Sequence, residues 1–104
     1  MKIKSKDLDI HIGLYIKKTR KEKGLSGRVL AQKIGISQQQ LSRYENGTTK
    51  LTFETVNEIL LAFNKQWFHL FNEVIYKFDH EQMISAINKD KNYQDILFKI
   101  MNSE

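Results

Sequence analysis

Three glycines, at positions 24, 35 and 47, cut the first half of this chain into short lengths, and two of the breaks are followed, one residue further on, by a serine that can cap a new helix. Such spacing leaves room for little besides short helices joined by tight turns. The 104 residues contain no proline, and Lys, Leu, Ile, Glu and Gln dominate, so an all-α domain is expected. A first helix from about Ile10 to Lys23 would line up Ile12, Tyr15, Ile16 and Thr19, leaving Lys17, Lys18 and Lys21 outside the stripe. Gly24 would end it in the left-handed conformation.

Ser26 can cap a second helix containing Leu30, Ala31 and Ile34, which Gly35 stops. Ser37 then caps a third, with Gln40 completing a capping box and Ile36 and Leu41 spaced as a hydrophobic staple. Asn46-Gly47 closes it. Two short helices joined by a glycine turn of three or four residues make a helix-turn-helix unit. Thr52 caps a fourth helix carrying Val56, Ile59, Leu60 and Phe63, with Leu51 and Val56 at staple spacing. The fifth segment, QWFHLFNEVIY, is apolar nearly all round and should be covered on most sides. Asp79 caps a sixth helix, with Gln82 at the capping-box position and Phe78 facing Met83. A last helix from about Asn92 carries an apolar stripe of Tyr93, Ile96, Leu97, Ile100 and Met101.

Charge divides the chain. Residues 1–50 hold 12 Lys and Arg against 4 Asp and Glu, whereas residues 51–104 hold 5 against 8, for a total of +5. All three arginines are in the first half, and eight of the eleven aromatics lie at or after Phe63. One half is suited to a polyanion and the other to protein packing. A solvated basic face would show the same charge.

Cysteine is absent, which removes disulfides, thiolate metal sites and cysteine nucleophiles. No apolar run approaches a membrane span, and MKIKSKDLDI lacks the apolar stretch of a secretory signal. The expected location is therefore the cytoplasm, with Asn46-Gly47-Thr48 a turn rather than a glycosylation site. His11, His69 and His80 show no ligand spacing, so no metal is expected. Asp7 and Asp9 read as surface charges. No enzyme motif is present, and no cofactor or small-molecule ligand is implied.

The third helix, SQQQLSRYENG, carries the chemistry. Its spacing turns Leu41 and Tyr44 inward and Gln38, Gln39, Ser42 and Arg43 outward. A helix fits the major groove of B-DNA, where Gln can pair with adenine N6/N7 and Arg with guanine O6/N7. Gln and Arg are also good formers of an ordinary soluble helix surface.

These residues carry a family resemblance. The segment from Ile16 to Phe71 resembles the Cro/CI-type (XRE family) helix-turn-helix domain, and LAQKIGISQQQLSRYENG follows that family's signature nearly position for position. The resemblance implies a five-helix, lambda-repressor-like fold over residues 10–76, with one or two extra helices in a C-terminal extension at 77–104. It implies base contacts by Gln38, Gln39 and Arg43, with Ser42 beside them. Phosphate contacts would come from Ser37, Gln40, Asn46, Thr48, Thr49 and Lys50. Arg20 and Glu45 match a buried ion pair. Two departures stand out. Ser26-Gly27 replaces the family's usual Thr-Gln, leaving Arg28 as the substitute phosphate contact, and Leu51 stands where proline is common. The SQQQ-SRYE core and the GLSGRVLA opening are more particularly similar to MrpJ-like regulators of fimbrial operons.

The implied function is a bacterial, sequence-specific transcriptional regulator, nucleoid-associated when bound. Its partner would be a pseudo-palindromic duplex operator, and the chain would dimerise through Tyr93, Ile96, Leu97, Ile100 and Met101. Phe78, Met83, Ile84 and Ile87 add to that apolar surface. Folding of the last helices back over Trp67 and Phe71 would also cover it. A rival reading is an antitoxin-like module that binds a partner protein and autoregulates its operon. RNA binding fits less well, because the A-form major groove does not admit a helix.

Overall fold

The computed structural model describes residues 5–76, and all of the regular structure in that span is helical. The elements are α1 (Ser5–Glu22), α2 (Gly27–Ile34), α3 (Gln38–Glu45), α4 (Phe53–Phe63) and α5 (Trp67–Leu70), which runs on into a π-helical stretch (Phe71–Tyr76). This is the five-helix, lambda-repressor-like arrangement. The expected sixth and last helices, from Asp79 and Asn92, and with them the stripe of Tyr93, Ile96, Leu97, Ile100 and Met101, lie outside the described residues.

Local chemistry sets most helix ends. Ser26 Oγ accepts the Val29 N–H at 3.1 Å, Ser37 Oγ the Gln40 N–H at 3.0 Å, and Thr52 Oγ1 the Thr55 N–H at 3.1 Å. Each such cap is worth about 1 kcal/mol. Gly24 (φ 70°) and Gly35 (φ 73°) take the left-handed conformation in which an L side chain is strained. Asn64 does the same at the end of α4, with φ 55°.

Two expectations are corrected. The first helix starts at Ser5, five residues before Ile10. Its stripe reaches back to Leu8, which packs against the core, and Asp7 in the first turn favours the positive end of the helix dipole. The capping box on α3 is only half made. The Gln40 side chain turns along the helix and accepts from Arg43 Nη1 at 3.3 Å instead of reaching back to Ser37.

The core draws on every element. Tyr15 and Ile16 meet Leu30 and Ala31 of α2, Leu41 of α3, Val56, Ile59, Leu60 and Phe63 of α4, then Leu70 and Val74. Ile16, Leu30, Leu41, Ile59, Leu60 and Phe63 are completely enclosed. Full burial of one such side chain is worth roughly 1.5–3 kcal/mol. This burial holds together α2 and α3, each only eight residues long and not stable alone.

The fifth segment is less covered than its composition requires. Leu70 and Val74 are buried, but Phe68 and Tyr76 are each 70% exposed. Leu70 and Val74, four residues apart, share the face turned to the core. Trp67 is held edge and face: its Nε1 donates to Asn57 Oδ1 at 3.0 Å, and its ring stacks on Phe53 at 4.4 Å. At the other side of α5, the Tyr15 hydroxyl lies 2.7 Å from His69 Nδ1, tying α1 to this segment. Burial pushes the Tyr15 hydroxyl's pKa up, so it stays protonated.

A close approach of two helices is made at a residue with no side chain. A Cβ on Gly13, in the middle of α1, would lie 2.6 Å from the Glu45 carbonyl oxygen and closer still to that of Tyr44. Gly13 thus lets α1 run directly over the end of α3. Gly47 makes the complementary approach, where an added Cβ would meet Ile10 Cα at 2.7 Å. Glycine inside a helix ordinarily costs about 1 kcal/mol relative to alanine. Gly13→Ala should nevertheless destabilise the domain, by about 1–3 kcal/mol, because the backbone of α3 must move. Thermal unfolding checks this: an unchanged or raised midpoint would contradict the close approach.

Candidate nucleic-acid interface

Helix α3 presents its outer face whole. Gln38, Gln39, Ser42 and Arg43 are exposed, whereas Leu41 and Glu45 are buried and Tyr44 is half-buried. The alternation follows from helical spacing once Leu41 enters the core, since residues three and four apart share a face. A short, capped helix with an apolar inner face and an outer row of Gln, Ser and Arg has donors and acceptors matched to base edges in a major groove.

Internal hydrogen bonds organise that face. Arg43 Nη1 donates to Gln40 Oε1, which lays the guanidinium back along the helix. Asn46 Nδ2 donates to Ser42 Oγ at 3.5 Å. Thr48 gives both its N–H (3.1 Å) and its hydroxyl (3.2 Å) to the Arg43 carbonyl, so the loop after α3 folds back against the helix end. Thr48 and Lys50 are exposed on this loop and Thr49 is half-buried.

Ser37 is committed to its cap, so any phosphate contact it makes uses the remaining hydroxyl capacity. Gln40 is half-buried and engaged with Arg43, unlike its two glutamine neighbours. Arg28 is exposed in the first turn of α2, close to the unpaired N–H groups that make a helix N-terminus receptive to anions. Its neighbour Gly27 faces α3: a Cβ there would be 3.8 Å from Gln38 Nε2, an ordinary contact distance. With no side chain at position 27, Gln38 packs directly beside the start of α2.

The outward face is held by an ion pair beneath it. Arg20 Nε donates to Glu45 Oε2 at 2.7 Å and Nη2 to Oε1 at 3.2 Å, a forked pairing. Nη1 donates to the Leu25 carbonyl at 2.9 Å. The two side chains are only 12% and 8% exposed. The hydrogen bonds that Arg20 donates to Glu45 raise its pKa further, outweighing desolvation. One guanidinium thus joins α1, the α1–α2 loop and the last turn of α3.

Sequence reasoning missed Gly13, Gly47 as a contact to α1, the Leu25 carbonyl and the Trp67–Asn57 bond. Only Gly13 left a signal, as an isolated glycine inside a helical pattern. Among the described residues, no cluster of three or more His, Asp or Glu could hold a metal ion, and no helix is long and apolar enough to cross a membrane.

Comparison with known proteins agrees with this geometry. The family described as Helix-turn-helix matches residues 16–70. The antitoxin PezA of Streptococcus pneumoniae is 39% identical over 62 residues, 60% of this chain and 39% of that protein. Multiprotein-bridging factor 1 of Pyricularia oryzae is 36% identical over 58 residues, 55% of this chain and 36% of that protein. The chain therefore spans well under half the length of these curated relatives. Two crystal structures of the clp gene regulator ClgR from Corynebacterium glutamicum share the fold. One has a TM-score of 0.64 at 23% identity, covering 67% of this chain and 91% of its own. The other has a TM-score of 0.69 at 20% identity, covering 79% and 87%.

Removing one partner of the buried pair strands the other charge, at a cost of roughly 3–5 kcal/mol. Glu45→Ala should lower the melting temperature and weaken duplex binding together. Unchanged melting would mean that the pair carries no structural load.

Proposed function

The chain belongs to the helix-turn-helix family, and on that premise we propose that it is a sequence-specific, double-stranded DNA-binding transcriptional regulator. The observation that carries this reading is the exposed row of Gln38, Gln39, Ser42 and Arg43 on a capped helix whose other face is buried. In this reading those four residues meet base edges in the major groove. Arg28, Ser37, Gln40, Asn46, Thr48, Thr49 and Lys50 hold the flanking phosphates. Contact with guanine draws the Arg43 guanidinium off Gln40, freeing that amide for phosphate.

The DNA-binding unit is residues 10–76, with α1 extending it back to Ser5, and residues 77–104 form a dimerising extension. A two-fold dimer sets two recognition helices about 34–36 Å apart on one DNA face, which calls for a pseudo-palindromic operator. The similarity to MrpJ-like regulators adds fimbrial and motility genes as the target class. Such a protein works in the bacterial cytoplasm, associated with the nucleoid when bound. It needs no catalytic group or cofactor.

A second reading is favoured by the likeness to the antitoxin PezA. The same fold would then also hold a partner protein and regulate its own operon. Size-exclusion chromatography with light scattering separates the two: a homodimer alone fits the regulator, a monomer that waits for a partner fits the antitoxin.

Each bidentate base contact is worth about 1–3 kcal/mol of discrimination. Arg43→Ala should therefore weaken binding to the operator far more than binding to random duplex. An equal loss on both would show that Arg43 touches phosphate only. Removal of residues 79–104 should give a soluble monomer with weak operator binding. A truncated protein that still dimerises would place the interface elsewhere, on the segment from Gln66 to Tyr76.

A further inference from the structure

An open cleft of about 230 Å³ separates the end of α2 from the start of α4, lined by Ile34, Ile36, Glu54, Thr55 and Glu58. Its apolar wall is Ile34 and Ile36, both half-buried beside the turn that leads into α3. Opposite them, Glu54 and Glu58 stand exposed, one helical turn apart on α4. We propose that this cleft docks a basic amphipathic segment of a protein partner, an aliphatic side chain entering against Ile34 and Ile36 while its cations meet Glu54 and Glu58.

Stability alone does not account for the glutamate pair. Glu54, in the first turn, gains from the helix dipole, but Glu58 lies beyond that first turn. Like charges at i and i+4 repel by a few tenths of a kcal/mol. Among the described residues, neither glutamate has a cationic partner.

Charge also selects the class of occupant. Two unpaired carboxylates repel phosphate, so nucleic acid does not enter. The glutamate wall belongs to the half of the chain after residue 50, which holds 5 Lys against 8 Asp and Glu, and α4 itself carries no Lys or Arg, so the cleft would draw a cationic segment. The space is below the roughly 300–1,000 Å³ of small-molecule pockets and is open to solvent, which suits a side chain or two from a larger partner. Its position beside the turn into α3 would leave the recognition face uncovered.

The test uses the full chain and a fluorescent peptide of about three helical turns, leucine on one face and lysine on the other. Fluorescence anisotropy measures its affinity, and amide NMR shifts locate it. The expected result is shifts centred on Ile34, Ile36 and Thr55, with affinity falling about tenfold in the double variant Glu54→Gln, Glu58→Gln. That variant should melt no lower than the parent and bind duplex DNA at least as well, which separates loss of the cleft from loss of the fold. No binding, shifts centred elsewhere, or an affinity unchanged in the double variant would overturn the proposal. Failure of DNA binding alone would leave it standing.

Discussion

The forked pair between Arg20 and Glu45 is the interaction on which the rest depends. Apolar burial is non-directional, and Leu41 alone would let an eight-residue helix roll or slide over the core. The pair removes that freedom. Its two bonds fix the last turn of α3 against α1, and the third, to the Leu25 carbonyl, fixes the loop that delivers α2. A buried ion pair adds little net stability, because desolvation opposes the Coulomb attraction. What it adds here is a defined register, reinforced by the absence of side chains at Gly13 and Gly47, where α1 and the end of α3 come into backbone contact.

That register decides the orientation of the outer face. With Glu45 pinned below and Ser37 capping the other end, Gln38, Gln39, Ser42 and Arg43 are exposed on the outer face. Bonds among Arg43, Gln40, Ser42 and Asn46 order the side chains without burying them. Removing these weak, exposed bonds on binding is inexpensive compared with reorienting the helix. Rigid below and adaptable above is the arrangement a base-reading surface requires.

Much of this was legible from single residues. Gly24 and Gly35 mark left-handed stops because other residues are strained there, and Ser26, Ser37 and Thr52 mark starts because their hydroxyls satisfy free N–H groups. Val56, Ile59, Leu60 and Phe63 show their burial through spacing alone. Three features were not legible in this way. Gln40 fits a capping box by position, but Arg43 three residues later competes for the same carbonyl oxygen. The start of α1 was hidden because Leu8 gains its packing from distant residues. Trp67 and Phe68 are equally apolar, yet Trp67 finds Asn57 and Phe53 while Phe68 is left outside.

The amino-acid sequence by itself determined where helices begin and end and which face of each is apolar, since caps, left-handed turns and the helical repeat act over a few neighbouring residues. Family likeness extended that to the residues of the candidate interface. Only the tertiary structure decided how closely α1 crosses α3, which carbonyl completes the Arg20 fork, and that two isoleucines of one helix-turn face two glutamates of another helix across a cleft. These relations join groups as far apart in the chain as Gly13 and Tyr44. No local rule carries information over such separations; they exist only once burial has brought the helices together and excluded every packing in which the charges and close backbone contacts are not accommodated.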